Sequence, residues 1–220
     1  MFYRDDQEIY RVRPLQAFEW LEHGFGTRSS PDIQSRGGLA TLHQIHSNIV
    51  VDAGGRSGNL GDGDALMEST PGRLVAVKTA DCLPIVIVDP AHRAVAAVHA
   101  GWRGTVQKIA HEAVAAMQEK FSSRPEQLQV AVGPGIGRCC YEVGPEVAAQ
   151  FRQYDSVPND RDQPVHLDLS AINRRQLEHA GVPPEQIYLA GLCTMCNAEF
   201  HSFRRERTHA GRMLSWVGIR

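Results

Sequence analysis

One cysteine and one histidine stand at the two ends of an apolar stretch, TADCLPIVIVDPAHRAVAAVHAGWRGT, over residues 79–105. Between them, Asp89-Pro90 has the residue types that open a type I turn. If that turn closes a hairpin with Asp89 facing His92, Cys82 faces His99, with Cβ atoms roughly 4.5–5.5 Å apart. A bulge that slips the register by one residue would instead send the two side chains to opposite faces of the sheet. The pattern favours a paired thiol and imidazole.

A third metal-ligand candidate lies upstream in LHQIHSNIV, where His43 and His46 precede an apolar run. One cysteine and two histidines suit zinc, and three protein ligands leave the fourth tetrahedral position for water. A buried thiol and hydrogen-bonded core histidines would produce the same spacing. Two further classes remain open. Cys82 and His99 would form the nucleophile and base of a metal-independent hydrolase, or the chain would bind metal without catalysis.

The elements that must position these residues are predicted from periodicity and turn signals. Helical spacing predicts a helix over 105–120 with Thr105 as its cap, a second over 170–180 with Ser170 as its cap, and a short one over 145–151. Apolar and β-branched runs predict strands at 48–53, 73–80, 83–89, 94–99, 128–133, 186–190 and 213–218. Strands outnumber helices and cluster as hairpins, so we expect an α+β fold with mixed sheets.

Composition limits the class of protein. The chain has 220 residues, 42% of them hydrophobic, which fits a single domain over 1–220. The net charge of −2 provides no basic excess for nucleic acid, so we expect none as a partner. The sequence has no signal-peptide pattern and no apolar run of membrane-spanning length. Five cysteines, two of them adjacent, do not suit a disulfide framework, so we expect a cytoplasmic protein with reduced thiols.

Several other residues are candidates for substrate binding. The loop GPGIGRCCYEVG has glycines that allow close approach of a ligand, and Cys140 and Tyr141 would line a base pocket there; a tight, packed turn is the alternative. Arg103 precedes a predicted helix and is a candidate for phosphate, with Arg204 and Arg205 as competitors; each of the three would serve equally in a structural ion pair. Cys193 and Cys196 form a single C-x-x-C without a partner pair, which favours buried structural thiols.

The segments LHQIHS, TADCLPIVIVD, VHAGWRGT, VGPGIGRCCYEVG, LCTMCNAEFHSFRRE and GRML resemble, in order and nearly in wording, the YfiH-type family. Its members are also called laccase domain-containing proteins, multicopper polyphenol oxidases and purine nucleoside phosphorylases. The resemblance runs from about Gly24 to the C-terminus. One departure follows GFGTR, where only SSPDIQSRGGLATLH precedes the Q-x-H element and an asparagine-rich segment usual in the family is missing.

The resemblance implies an α-β-β-α sandwich, distantly similar to the cytotoxic necrotizing factor deamidases, and one zinc ion on His46, Cys82 and His99. It also implies phosphorolysis of adenosine, inosine, guanosine or methylthioadenosine, and deamination of adenosine, by a monomer or homodimer that takes purine nucleosides and phosphate. Asp81 would be catalytic, or else a turn residue that caps the Cys82 backbone. Asp64 would be the functional member of the Asp62/Asp64 pair and would bind substrate.

The copper oxidase name within the family can be weighed against the histidines. A multinuclear copper oxidase needs many histidines, commonly as H-x-H pairs, and the ten histidines here form no such pair. A full laccase apparatus is therefore not expected. Copper at the His46, Cys82 and His99 site is the weaker alternative to zinc.

Overall fold

A computed structural model describes residues 1–154 and 165–220 of the chain. The described strands are, in chain order, β1 (Phe2–Arg4), β2 (Tyr10–Val12), β3 (Leu21–Phe25), β4 (Leu39–His43), β5 (Val50–Asp52), β6 (Gly58–Asp62), β7 (Ala65–Glu68), β8 (Arg73–Thr79), β9 (Leu83–Asp89), β10 (Ala94–Ala100), β11 (Gln129–Val132), β12 (Glu142–Val143), β13 (Val165–His166), β14 (Ile187–Leu189) and β15 (Met213–Ile219). All seven predicted strands are present, and the others were missed.

The strands form two large sheets and a small ribbon. One sheet has the order β1-β2-β3-β15-β8-β4-β6 and the other has the order β14-β11-β9-β10-β7-β5, while β12 and β13 pair separately. Most neighbours are antiparallel, but β4 runs parallel to β6 and β8, β5 to β7, and β11 to β14. The predicted α+β fold with mixed sheets is confirmed.

The α-helices of the described residues are α1 (Trp102–Val106), α2 (Ile109–Phe121), α3 (Pro145–Ala148), α4 (Leu169–His179) and α5 (Phe203–Glu206), with short 3-10 turns at Arg13–Ala17, Pro125–Gln127, Ala149–Phe151, Pro184–Gln186 and Arg207–His209. None of these helices is both long and apolar enough to cross a bilayer.

The predicted helix over 105–120 is in fact two helices, because Lys108 takes a left-handed φ of 62° between them. Thr105 is not a cap. It is buried in α1, where its hydroxyl accepts a hydrogen bond from Asn173 Nδ2 at 3.0 Å. The cap of α4 is likewise Asp168 and not Ser170, since the Asp168 side chain accepts the Ala171 N–H at 2.9 Å. The second error arises because Asp168 and Ser170 both have side chains that can cap a helix start.

Apolar faces of the two sheets pack against each other and against the helices. Val75 and Val77 of β8 contact Val86 and Val88 of β9 within one buried cluster between the sheets. The opposite face of the second sheet, with Ile85 and Ile87, packs on the apolar stripes of α2 and α4. A smaller cluster on the outer face of the first sheet is covered by Ile9 and Ile33 from connecting segments. Every residue of β9 and of β10 is therefore buried.

The β9–β10 hairpin has a different register from the predicted one. Asp89 pairs with Ala94 and not with His92, so His99 lies opposite Pro84. Asp89 Oδ1 accepts the N–H groups of Ala91 and His92, and the loop is therefore longer than a two-residue turn. The shift equals two residues, which returns every side chain to its original face. Cys82 and His99 therefore remain on the same side although they are not directly opposed.

Candidate metal centre and its pocket

His46, Cys82 and His99 converge where three chain segments meet. Their ligand atoms all lie within 4.8 Å of one another. The two imidazole rings are 4.9 Å apart between centroids and meet edge to face at 72°. His46 lies in the turn after β4, Cys82 directly before β9, and His99 near the end of β10. The structure thus brings together the three residues selected from the sequence, and leaves His43 outside the group, exposed and paired with Asp62.

Asp64 organises two of these three residues from beneath. It is fully buried, and its carboxylate accepts hydrogen bonds from the N–H groups of Ile45, His46 and Ser47 and from the Ser47 hydroxyl, at 2.6–3.3 Å. Its Oδ1 also lies 2.8 Å from His99 Nδ1. Nδ1–H of His99 therefore faces Asp64, and Nε2 remains available for a metal. The fully buried Asp64 carboxylate is not part of the cavity wall described below, so the contacts seen here support the metal ligands, and a role in binding substrate stays a prediction.

Gly101 makes room for the cysteine and the first histidine. A Cβ atom at this position would lie 2.8 Å from Cys82 Sγ and 3.1 Å from His46 Cδ2. Real Cβ atoms do not approach a sulfur so closely, so any side chain here would push the two ligands apart. The HAGW segment therefore provides both the ligand His99 and, at Gly101, the space that Cys82 and His46 need.

The charges of the three residues are strongly coupled. Burial raises the pKa of the Cys82 thiol, but the positive charge of His99 and hydrogen bonds from His46 and His99 lower it to about 6. Burial lowers the pKa of His99, but the Cys82 thiolate and the Asp64 carboxylate raise it to about 9. Burial raises the pKa of Asp64, but the hydrogen bond from His99, those from the Ser47 N–H and hydroxyl, and the positive charge of His99 lower it to about 2. The metal-free site at neutral pH is thus a thiolate beside an imidazolium.

These donors fit a tetrahedral soft or borderline ion. Zinc bound to sulfur and nitrogen at roughly 2.0–2.3 Å would set its ligand atoms roughly 3.3–3.8 Å apart. The three ligand atoms, all within 4.8 Å of one another, are close enough for a single ion to lie between them. A thiolate and two imidazoles, one of them backed by a carboxylate, form the donor set and outer support that zinc sites use.

The three ligands lie in the wall of a cavity of about 730 Å³, a volume typical of small-molecule sites. Besides the ligands, the wall includes a group of aromatic and a group of cationic side chains, together with polar and aliphatic residues, His43 and Asp81 among them. Trp102, Tyr141 and Phe203 provide aromatic surface, and the cationic residues are Lys78, Arg204, Arg207 and Arg212. Burial and the negative charge at Cys82 raise the pKa of Tyr141 to about 12, so its hydroxyl stays protonated. The cavity therefore suits a flat ring that carries, or lies beside, an anion.

Of the three predicted arginines, only Arg204 lines this cavity. Its guanidinium donates to the Glu142 carbonyl and lies 5.4 Å from the Tyr141 ring centroid. Arg103 is exposed, stacks on the Trp102 ring at 4.3 Å, and is absent from the cavity wall. Arg205 is also absent from it, because its guanidinium donates to the carbonyls of Thr194, Met195 and Phe200. The phosphate role of Arg103 and the substrate role of Arg205 are therefore not supported.

Sequence reasoning missed Lys78, Arg207 and Arg212. Arg207 comes three residues after Arg204, and Arg212 lies within the GRML segment that carried part of the resemblance. The arginine in GRML could have indicated a further cationic residue of the site. Nothing in the residue spacing indicated that β8, α5 and the start of β15 meet around one cavity. Trp102 is half-buried, packs against the core and lines the cavity too.

Asp81 holds the cavity wall together. Its Oδ1 accepts the Thr194 hydroxyl at 2.7 Å and its Oδ2 accepts the Arg204 N–H at 2.6 Å. Its φ of 85° lies in the left-handed region, which turns the chain sharply just before Cys82. The hydrogen bonds go to the distant 194–204 segment, so the alternative of a cap on the Cys82 backbone is wrong. With both oxygens engaged, Asp81 positions Arg204, and its catalytic role stays a prediction.

Cys140 does not reach the cavity. Its sulfur lies 3.3 Å from Cys196 Sγ in a group of four cysteines on the neighbouring surface, formed by Cys139, Cys140, Cys193 and Cys196. Cys196 is exposed and Cys193 half-buried, so the expectation of buried structural thiols without a partner pair is wrong. The adjacent cysteines at 139–140 are the partner pair of Cys193 and Cys196. The sequence did not indicate this, because residues 139 and 140 lack the C-x-x-C spacing.

The chain was compared with known families and proteins. Residues 28–220 match the family model described as multi-copper polyphenol oxidoreductase laccase. A purine nucleoside phosphorylase of Deinococcus radiodurans is 42% identical over 183 residues, which is 82% of this chain and 70% of that protein. Adenosine deaminase RL5, from an unknown prokaryotic organism, is 38% identical over 161 residues, or 70% of this chain and 61% of that protein.

The fold has a solved counterpart. The crystal structure of the Bacillus licheniformis hypothetical protein YfiH superposes with a TM-score of 0.88 at 25% sequence identity. The superposition covers 100% of this chain and 99% of that one. The arrangement of two sheets and flanking helices is thus shared over the full length of both chains.

Proposed function

The chain belongs to the laccase-like YfiH family, and from that membership we propose that it is a metal-dependent enzyme that processes purine nucleosides. One observation carries the proposal. His46, Cys82 and His99 are assembled, with Asp64 behind them, in the wall of a cavity that combines aromatic and cationic side chains. The relatives named as a purine nucleoside phosphorylase and an adenosine deaminase support the same substrate class.

The metal role is proposed for zinc. His46, Cys82 and His99 would hold the ion, and zinc in such a site supplies a water whose pKa is lowered to roughly 7. Copper on the same residues is the weaker alternative. Within the described residues, the ligand group that faces this cavity contains two histidines, whereas a coupled multicopper centre requires several more.

The other residues would bind and orient the substrate. The aromatic rings of Trp102, Tyr141 and Phe203 would pack on the purine, since a base offers a flat face. Arg204, Arg207 and Lys78 would hold phosphate against the sugar, because charge-assisted hydrogen bonds bind it more strongly than neutral donors do. Asp81 would keep the Arg204 backbone in place, and Asp64 would keep the His99 tautomer with Nε2 towards the cavity.

Two reactions of adenosine are proposed for this one site. In phosphorolysis a phosphate oxygen forms a bond to C1′ while the C1′–N9 bond breaks, giving ribose 1-phosphate and adenine, which leaves with a proton at nitrogen. In deamination water adds at C6 and ammonia leaves, giving inosine. Inosine, guanosine and methylthioadenosine are the further proposed phosphorolysis substrates. Because the reactions share a cavity, inosine should inhibit deamination competitively.

A metal-independent Cys-His amidohydrolase is the second candidate function. One observation favours it: Cys82 and His99 form a thiolate and imidazolium in the absence of metal, the charge state of an activated cysteine nucleophile. Chelation separates the candidates. A thiol hydrolase keeps its activity when all metal is removed, while the proposed nucleoside enzyme loses it.

The test of the proposed function is product analysis on a nucleoside panel. Purified chain is incubated with adenosine, inosine, guanosine or methylthioadenosine, with and without phosphate, and the products are separated by chromatography. Inosine from adenosine without phosphate, and free base plus ribose 1-phosphate with it, support the proposal. If none of the four nucleosides yields either kind of product, the nucleoside assignment is wrong.

We further propose that residues 1–220 act as one domain, as a monomer or homodimer in the cytoplasm, without nucleic-acid or membrane partners. The buried clusters support a single unit, because each of the two larger ones draws residues from both halves of the chain. Gel filtration with light scattering would establish the oligomeric state.

A further inference from the structure

Four cysteine sulfurs lie together on the surface beside the cavity. Those of Cys139, Cys140, Cys193 and Cys196 are all within 4.8 Å of one another. Cys196 Sγ is 3.5 Å from Cys139 Sγ and 3.3 Å from Cys140 Sγ. Disulfide sulfurs are about 2.05 Å apart, so these are four separate thiols. Four sulfurs around one zinc ion at roughly 2.3 Å would be roughly 3.8 Å from each other, close to the separations found here.

The backbone brings the two cysteine pairs together. Gly135 and Cys193 form a parallel bridge, in which the Gly135 N–H donates to the Leu192 carbonyl at 3.2 Å and the Thr194 N–H donates to the Gly135 carbonyl at 3.0 Å. A Cβ atom on Gly135 would lie 2.5 Å from Leu83 Cδ2 and 3.0 Å from the Asp81 carbonyl oxygen, so Gly135 also packs closely against the chain at the start of β9. The arrangement is therefore built into the main chain and does not depend on side-chain rotamers alone.

Cys193 has the surroundings of a metal thiolate. Its sulfur accepts a hydrogen bond from the Gly137 N–H at 3.2 Å, and the N–H groups of Met195 and Cys196 also point to it. These last two N–H groups, from the second and third residues after the first cysteine of the C-x-x-C, stabilise negative charge on its sulfur. Arg205 donates to the Thr194 and Met195 carbonyls at 2.8 and 2.9 Å, which fixes the loop and places a positive charge beside it.

We propose that Cys139, Cys140, Cys193 and Cys196 bind a second zinc ion through four thiolates. Four protein ligands close the tetrahedron, which is the arrangement of structural and not of catalytic zinc. The ion would join the loop that carries Tyr141 to the segment that carries Arg204, two residues of the cavity wall. It would stabilise the cavity without contacting the substrate, and the proposal stands whether or not the substrate is a nucleoside.

The experiment uses Cys82→Ser, which disables the first site and leaves the four cysteines intact. Chain purified without oxygen is analysed for zinc by mass spectrometry against protein concentration. Wild type should contain two zinc ions per chain, Cys82→Ser one, and the double variant Cys139→Ser/Cys196→Ser one. Loss of zinc from the double variant should also lower its melting temperature, because the ion no longer joins the two segments.

Cobalt provides a readout that does not require any of the four cysteines to be changed. Cys82→Ser loaded with Co²⁺ should show the strong near-ultraviolet sulfur-to-cobalt charge transfer and the visible bands of a tetrahedral four-thiolate site. Three results would overturn the proposal: Cys82→Ser without bound zinc, a cobalt spectrum without thiolate bands, or a protein mass that shows the four cysteines joined as disulfides. None of these results depends on enzymatic activity, so failure here is distinct from failure of the proposed function.

Discussion

Replacing Asp64 by asparagine should weaken the metal site while leaving all three ligands in place. The carboxylate accepts five hydrogen bonds, three from backbone N–H groups, one from the Ser47 hydroxyl and one from His99 Nδ1. Asparagine has nearly the same shape but lacks the negative charge, and its amide nitrogen cannot accept. At least one of the donors around it therefore loses its partner, and His99 loses the charge that fixes its tautomer.

The expected loss follows from these contacts. Removing a carboxylate that orients a metal-bound histidine costs about 10- to 100-fold in metal affinity, or about 1.4–2.7 kcal/mol. Unpairing buried donors lowers the free energy of unfolding by a further ~1–3 kcal/mol. Zinc affinity is measured by competition with a chromophoric chelator, and stability by denaturant titration of the zinc-free chain. The matched control is Asp62→Asn, an exposed carboxylate two residues away. Equal zinc affinity in Asp64→Asn and wild type would refute the reasoning.

Three other predictions follow from the same site. Gly101→Ala should reduce zinc affinity at least as strongly as Asp64→Asn, since the new methyl group would displace Cys82 Sγ; unchanged zinc content would contradict the packing argument. Zinc affinity of the His46, Cys82 and His99 site should rise as pH rises from about 6 to about 9, because the ion displaces a proton from His99. Below about 6 the affinity should fall more steeply, because Cys82 also becomes protonated. Calorimetry in buffers of different ionisation enthalpy should detect the released proton, and zinc binding at pH 7 without proton release would contradict this prediction. Arg207→Ala should raise the KM for phosphate by about 10- to 100-fold, from the loss of a charged hydrogen bond of about 1.5–3 kcal/mol, whereas Arg103→Ala should not; the reverse result would restore Arg103 as the phosphate residue.

The placement of Cys82 and His99 on one face could be predicted from the hairpin alone, whereas the choice of His46 over His43 came from the family resemblance. The hairpin was expected with Asp89 opposite His92, and the structure pairs Asp89 with Ala94. A two-residue shift does not change which face a side chain occupies, so Cys82 and His99 were still correctly placed on one side. A one-residue error would have separated them.

Roles that depend on distant contacts could not be predicted. Asp64 was assigned to substrate, and its buried contact with His99 was not foreseen, because only the tertiary structure shows which side of β7 faces inwards. Arg103, Arg204 and Arg205 were indistinguishable, because the choice depends on where β8, α5 and β15 meet. The four cysteines lie in two segments over 50 residues apart, and the adjacent pair at 139–140 lacks the C-x-x-C spacing that would have marked it as the partner of Cys193 and Cys196. The predicted helix over 105–120 was wrong for a local reason, since Lys108 takes a left-handed conformation that has no clear sequence signal.

Adenosine turnover by metal-free and reloaded chain tests the central claim most directly. Protein is stripped of metal by a chelator, assayed for inosine formation, then given zinc in increments up to saturation, with Cys82→Ser treated in parallel. We predict no turnover in stripped wild type, recovery in proportion to zinc bound at His46, Cys82 and His99, and no recovery in Cys82→Ser. Full turnover by the stripped protein would contradict the metal-dependent mechanism and point to Cys82 as a nucleophile, and turnover by Cys82→Ser would contradict both readings of this site.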